Sequence, residues 1–336
     1  MNSTGRKPFW LRFLLTSLWV VLACLCLAGG SLFGYVGKSP VASNILDLGL
    51  RPVKPQEIFA NDLKGEREYL NLLILGCDED RLYMPASSKK PGSIIRHKAR
   101  SDMMMVAKVD FKNKRISGIS IPRDLTWQLP GYREMKVNAY YSAGYHEGGF
   151  ERAKEMAKEA CSSVTGMQID RVVVLDYEAF QKTIDSLGGV EVFVPRKMDY
   201  DDFRGNLHIH LKKGRQTLNG YDAMCYARYR HGDDDFKRQE RQKDLMVSLK
   251  DRVIQHWQQT TNVLDKSVEI MSNAFTPREM AALMLFAKKV GTDNIKMDMV
   301  PVIETKGSYD LALDYPKLQE KLKLLHMSPE ANSLGQ

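Results

Sequence analysis

At 336 residues, with 43% hydrophobic and 27% charged content, the chain has the composition of a folded globular protein, long enough for one large domain or two modest ones. Five cysteines exclude a disulfide-held miniprotein, and the lack of any repeat or low-complexity tract excludes solenoid and fibrous architectures. A formal net charge of +8 points to an anionic partner, whether nucleic acid, an anionic membrane surface or a phosphorylated substrate.

Residues 1–12 carry Arg6, Lys7 and Arg12, and an almost uninterrupted apolar run follows over 13–36. A run of ~20 apolar residues is long enough to cross a bilayer as a helix. Positive charge ahead of it predicts an uncleaved signal anchor in the cytoplasmic membrane, N-terminus inside and the bulk of the chain outside. Cys24 and Cys26 fall in this span; Cys77, Cys161 and Cys225 sit among apolar residues and read as buried thiols, with one disulfide among them left open. Residues 37–66, with Pro40, Pro52 and Pro55, predict a linker.

The folded part is expected over 67–326, with a tail over 327–336. Leu70 to Gly76 reads as a buried central strand, and Asp78 directly follows it, where α/β sheets gather ligands. A basic, aperiodic loop over 79–99 leads to Arg100, Asp102 and a second strand over Met103–Val109. Arg115 to Ile121 forms the third strand, in a hairpin with the second, and ends at Pro122-Arg123-Asp124. Gly148-Gly149 opens a helix over Phe150–Val164 with Gly166 as its cap. A strand at Arg171–Leu175, a helix at Tyr177–Leu187 and a strand at Val190–Val194 continue the alternation. His208 and His210 alternate with Leu207, Ile209 and Leu211, which puts both on one face of a strand rather than on a metal. Gln216 to Gly220 introduces a helix ending near Arg228. Amphipathic helices over Leu245–Trp257 and Pro277–Val290, a last strand over Met297–Val302 and a closing helix over Lys317–Leu325 complete the chain. Alternating strands and helices within one continuous unit predict a single α/β domain.

The segment Arg228–Gln242 has no hydrophobic face, so burial does not account for its composition. Arg228 and Arg230 flank Tyr229, and Arg238 and Arg241 are spaced to share one helix face. Guanidinium groups suit planar, two-pronged recognition of phosphate. With the strand-end residues they form a candidate constellation: Asp78, Arg100, Asp102, Arg123, Asp124, Arg228, Arg230, Asp235, Arg238, Arg241 and Gln242. Arginines with two or three carboxylates suit a magnesium–pyrophosphate ligand, because Mg²⁺ takes few carboxylates plus phosphate oxygens. The structural alternatives are an Arg123–Asp124 ion pair at a strand end and a helix cap at Asp235.

These motifs, in this order, resemble the LytR–CpsA–Psr family of membrane-anchored extracytoplasmic phosphotransferases over roughly 68–325. The resemblance is carried by Leu72-Leu73-Ile74-Leu75-Gly76-Cys77-Asp78, Arg100-Ser101-Asp102, Ile121-Pro122-Arg123-Asp124 and Lys136-Val137-Asn138-Ala139-Tyr140-Tyr141. It continues through Asp185-Ser186-Leu187-Gly188-Gly189-Val190, Leu218-Asn219-Gly220-Tyr221-Asp222-Ala223, Ala227-Arg228-Tyr229-Arg230-His231 and Asp235-Phe236-Lys237-Arg238-Gln239-Glu240-Arg241-Gln242. It implies an α/β/α sandwich with a central mixed β-sheet behind one N-terminal transmembrane helix. The implied activity is transfer of a phosphoglycan from a polyprenyl-pyrophosphate carrier onto peptidoglycan, releasing polyprenyl phosphate. Carried over by motif, Asp78 and Asp102 are Mg²⁺ ligands, and Arg100, Arg123, Arg228, Arg230, Arg241 and Gln242 hold pyrophosphate. Asp124, Lys136, Asp235 and Arg238 support or complete the site, with Asp102 or Asp124 taking the acceptor proton. An apolar tunnel for the polyprenyl tail has candidate walls at Val172–Leu175, Val190–Val194 and the helix from Leu245. Lys237, Met103 and the Asp233-Asp234 pair depart from the family pattern, where glycine, threonine and fewer acids are usual. Hydrolysis of the carrier and non-catalytic carrier binding are the alternatives of nearest chemistry. A membrane-tethered nucleic-acid regulator lacks any reader motif and faces the wrong side of the membrane, so no nucleic acid is expected.

Overall fold

The computed structural model describes residues 39–63, 67–77, 80–83, 94–97, 101–202, 207–229, 241, 244–252, 274–304 and 311–328. The expected membrane span over 13–36 lies outside the described residues, and among the described residues no helix is long and apolar enough to cross a membrane.

The expected linker is folded instead. Ser39 caps helix α1 (Pro40–Leu50) by accepting from the Ala42 amide, and a short α2 (Pro55–Ile58) follows. Their prolines sit in first helical turns, where a missing N–H costs nothing. Val41, Leu48, Phe59 and Leu63 are buried, so this stretch is part of the core.

The central sheet has the strand order β13-β5-β4-β1-β8, formed by β1 (Tyr69–Cys77), β4 (Ser101–Asp110), β5 (Arg115–Ile121), β8 (Arg171–Asp176) and β13 (Ile295–Met299). The β1–β4 and β4–β5 pairs are antiparallel, and β1–β8 and β13–β5 are parallel, so the sheet is mixed as expected. Strand periodicity sends alternate residues to opposite faces. Leu73, Leu75, Met104, Val106, Ile119, Ile121 and Val174 pack on one face against α3 (Ala139–Thr165) and α8 (Tyr315–Leu324). Leu70, Leu72, Val109 and Val173 face the other way, against α1 and α7 (Pro277–Lys289). Helices on both faces make the layered sandwich.

Helix α3 starts eleven residues before the expected Phe150, and Gly148-Gly149 is a break inside it rather than its start. Gly149 adopts φ +75°, the left-handed region that disfavours side chains, and the chain turns there without leaving the helix layer.

A second, smaller core lies beside the sandwich. It joins α4 (Tyr177–Ser186), β9 (Val190–Val194), β10 (Met198–Asp202), β11 (Leu207–Leu211), β12 (Gly214–Leu218), α5 (Gly220–Arg228) and the helical residues 244–252, here α6. The Gln216 region is therefore a strand paired with β9, and Asn219 caps the helix that follows. A Cβ at Gly220 would lie 2.2 Å from the Gln181 carbonyl oxygen, so only glycine allows α5 to start this close to α4. The expected last strand is also not the last: β14 (Val302–Glu304) and β15 (Leu311–Leu313) form a further hairpin. Short pairs β2 (Asp80–Tyr83) with β3 (Ile94–His97), and β6 (Thr126–Trp127) with β7 (Met135–Lys136), complete the strands. Cys77, Cys161 and Cys225 are buried and form no disulfide with one another, and burial pushes the Cys161 thiol to about 12 and Cys225 to about 11.

Candidate functional site

Strands β1, β5, β8 and β13 run the same way, and their carboxyl ends meet the amino end of β4. Cys77 stands opposite both Ser101 and Asp176, Met104 opposite Ile121, and Met299 opposite Ser120. The residues leaving β5 and those entering β4 thus gather at one end of the sheet, the end where ligands bind in open α/β folds.

After β5 the chain turns, with the Leu125 amide donating to the Pro122 carbonyl at 3.1 Å. The β6–β7 ladder then sets Thr126 opposite Lys136, and the Val137 amide donates to Leu125 O at 2.8 Å. That ladder brings Lys136 back to Asp124. Lys136 Nζ donates to Asp124 Oδ1 at 2.8 Å, and Arg123 Nε donates to Oδ2 at 3.4 Å. The three side chains are 35–40% exposed, open to a ligand yet held by their neighbours. Burial alone would raise the Asp124 pKa, but Lys136 and Arg123 outweigh it and hold the carboxyl below its usual range. A carboxylate held low is a weak base. Asp124 is therefore arranged to aim two cations.

Two hydroxyl oxygens at this end are buried without a hydrogen-bond partner among the described residues: Ser101 Oγ beside Asp102, and Thr126 Oγ1 across from Lys136. Buried hydroxyls are normally paired, so a polar group belongs here. Asp102 is the second residue of β4; its side chain lies outside what the structure describes.

Arg228 lies in the last turn of α5, where a cation suits the helix dipole. Arg241 is only 3% exposed; its Nε donates to Tyr226 O at 3.3 Å and its Nη2 to Tyr229 O, and its guanidinium lies 5.8 Å from the Tyr229 ring centroid. Tyr226 is itself anchored, its hydroxyl donating to Phe193 O at 3.2 Å. Arg241 thus ties down the backbone at the end of α5. Asp78, Arg100, Arg230, Asp235, Arg238 and Gln242 lie outside the described residues. Among the described residues, no group of three or more His, Cys, Asp and Glu is arranged for a metal. His208 and His210 share a face of β11 as expected, bonded through Nδ1 to Asp201 and Asp199 at 2.6 Å each. The candidate tunnel walls divide among three apolar clusters: Val172 and Val174 in one, Val173 and Leu175 in another, and Val190–Val194 with Leu245 in the third.

Comparison with known proteins adds four findings. The model of the LytR_cpsA_psr family matches residues 49–326. Over 184 residues the chain is 36% identical to the polyisoprenyl-teichoic acid–peptidoglycan teichoic acid transferase TagV of Bacillus subtilis (strain 168), covering 49% of this chain and 44% of TagV. Over 188 residues it is 31% identical to the regulatory protein MsrR of Staphylococcus aureus (strain COL), covering 55% of this chain and 49% of MsrR. The chain therefore spans about half the length of these curated relatives. The crystal structure of B. subtilis TagV superposes with a TM-score of 0.56 at 27% identity, covering 78% of this chain and 98% of that one.

Proposed function

Because the chain belongs to the LytR_cpsA_psr family, we propose that it is a membrane-anchored phosphotransferase that moves a phosphoglycan from a polyprenyl-pyrophosphate carrier onto peptidoglycan. The observation that carries this reading is the Arg123–Asp124–Lys136 arrangement at the ligand-binding end of the sheet, combined with the similarity to TagV. Arg123 and Lys136, aimed by Asp124, supply positive charge where a pyrophosphate would lie. Arg228 adds a third cation from α5, and Arg100, Arg230, Arg238 and Gln242 extend the set by motif, with Asp235 in support.

In this account a glycan hydroxyl on peptidoglycan attacks the phosphorus nearest the donor glycan. The bond from that phosphorus to the bridging oxygen breaks, and polyprenyl phosphate leaves. Asp102 or Asp124 accepts the proton of the attacking hydroxyl. Arg123 and Lys136 hold the phosphate oxygens on which charge accumulates, the largest contribution protein groups make to phosphoryl transfer. By motif, Asp78 and Asp102 with phosphate oxygens would supply the few hard oxygen ligands that Mg²⁺ prefers. When bound it would neutralise pyrophosphate charge. The apolar run over 13–36 would anchor the N-terminus inside the cytoplasmic membrane, with the catalytic domain outside.

The test is incubation of the detergent-solubilised chain with a polyprenyl-pyrophosphate glycan, magnesium and peptidoglycan strands. Covalent glycan on the strand supports transfer. Release of free phosphoglycan whether or not strands are present would instead mark a hydrolase, and tight carrier binding without turnover a carrier-binding module.

A further inference from the structure

At the opposite end of the sheet from the proposed transfer site, a hollow of about 300 Å³ is lined by Arg67, Glu68, Tyr69, Lys108, Asp110, Lys112 and Asn113. It lies where β1 begins and β4 turns into β5, since Tyr69 pairs with Asp110. Most of its charges are accounted for. Arg67 bonds Asp170, Lys112 lies 3.8 Å from Glu68, and Asp110 accepts from the Asn113 amide and side chain at 2.9 and 2.8 Å.

Lys108 is different. Its ammonium lies 3.9 Å from the centroid of the Tyr69 ring, which the Arg67 guanidinium also approaches, at 5.1 Å. Among the described residues nothing accepts a hydrogen bond from it, and its electrostatic neighbours are Asp110, Arg67 and Arg115. The group is half-buried, and burial first, then Arg67 and Arg115, lowers its pKa against the opposing pull of Asp110. The same positive field reaches further: His326 is lowered by burial and then by Arg115, Lys296 and Lys108. The lining itself carries Arg67, Lys108 and Lys112 against Glu68 and Asp110, an excess of one cation. The Tyr69 ring face is the Lys108 ammonium's one close contact among the described residues, so its N–H donors are left for water or a ligand in the hollow.

We propose that this hollow is an oxyanion site for a phosphate group, with Lys108 as its central donor and Lys112 and Arg67 at its walls. A phosphate carries the opposite charge, and its tetrahedral oxygens can reach donors on several sides, which a planar carboxylate does less well. The site is separate from the transfer machinery and does not rest on its assignment. A free phosphate ion and a phosphodiester of an anionic polymer share the chemistry that would occupy it.

The test is calorimetric titration of the full chain, in detergent with a chelator present, using inorganic phosphate and a short glycerol phosphate oligomer as probes. Wild type, Lys108→Met and Arg123→Met are compared, so that phosphate at the proposed transfer site is counted separately. The expected result is a component lost or weakened at least tenfold in Lys108→Met and retained in Arg123→Met. An oligomer that binds more tightly than the free ion identifies a polymer as the source; equal binding identifies the ion. Phosphate should also raise the Lys108 pKa in the unmutated protein, which needs no variant. Identical titrations of Lys108→Met and wild type, or a Lys108 pKa that phosphate leaves unmoved, would overturn the site. So would acetate binding as well as phosphate at equal ionic strength.

Discussion

Lys136 Nζ lies 2.8 Å from Asp124 Oδ1, although twelve residues separate them in the chain. The contact exists because the β6–β7 ladder folds the segment after β5 back on itself, and it turns Asp124 into a support for two cations. Replacing Lys136 with Met should release Asp124 toward the ordinary carboxylate range. A group whose folded pKa is depressed contributes stability above its unfolded value and loses it as pH falls through the folded one. The variant should therefore be less stable above the carboxylate range, by under ~1 kcal/mol for so exposed a pair, and should converge with the wild type at acid pH. Carboxyl carbon NMR of Asp124 against pH, with acid unfolding alongside, measures both. An unchanged Asp124 titration would show that Lys136 does not set it.

Arg171 should matter more for stability than any residue of the candidate site. Its Nη2 lies 2.6 Å from both Asp62 Oδ2 and Glu279 Oε1, its Nη1 donates to Ala274 O at 2.8 Å, and Phe59 and Phe275 flank it. Burial pushes the Glu279 carboxyl up, but Arg171 and the Thr276 cap hold it low. Arg171→Met strands two largely buried carboxylates, which typically costs about 3–5 kcal/mol. Denaturant unfolding checks this, and the loss should shrink at acid pH as Glu279 protonates. A loss below ~1 kcal/mol would mean the carboxylates find other partners.

Gly220→Ala places a methyl group against the Gln181 backbone. Helix α5 would have to shift, at a cost of about 1–3 kcal/mol. Because α5 carries Arg228, transfer should fall further than the stability loss predicts. Calorimetric melting and activity on the same preparation separate the two effects.

His210 is bonded through Nδ1 to Asp199 and lies 3.3 Å through Nε2 from Asp201, and its pKa is raised, chiefly by Asp199. Its contribution is present below the unfolded pKa and is lost as pH rises through the folded one. Ring-proton NMR should find a midpoint above 6.5 that Asp199→Asn brings down.

The layered fold was legible because its signals are local and periodic: apolar runs at Leu70–Gly76 and Met103–Val109, and a hairpin turn at Asp110–Lys114. What escaped were features made by tertiary contact. Residues 40–63 are proline-punctuated and read as a linker, yet they fold because α7 offers an apolar face to Val41 and Leu48. Arg123 and Asp124 stood out by position at a strand end, and Lys136 by motif, but their contact depends on a two-residue ladder too short to predict. Arg241 showed its charge in the sequence and not its burial; only the fold reveals that it holds backbone carbonyls of α5. Lys108 carried no signal, sitting in a strand where a lysine reads as one more solvated residue.

If Arg123 and its neighbours serve phosphoryl transfer, removing the Arg123 guanidinium from a folded chain should abolish product. Wild-type and Arg123→Ala chains, matched by melting temperature, are incubated with polyprenyl-pyrophosphate glycan, magnesium and peptidoglycan strands. Covalently linked glycan and released polyprenyl phosphate are expected with the wild type, and neither with the folded variant. Equal product from both would contradict it.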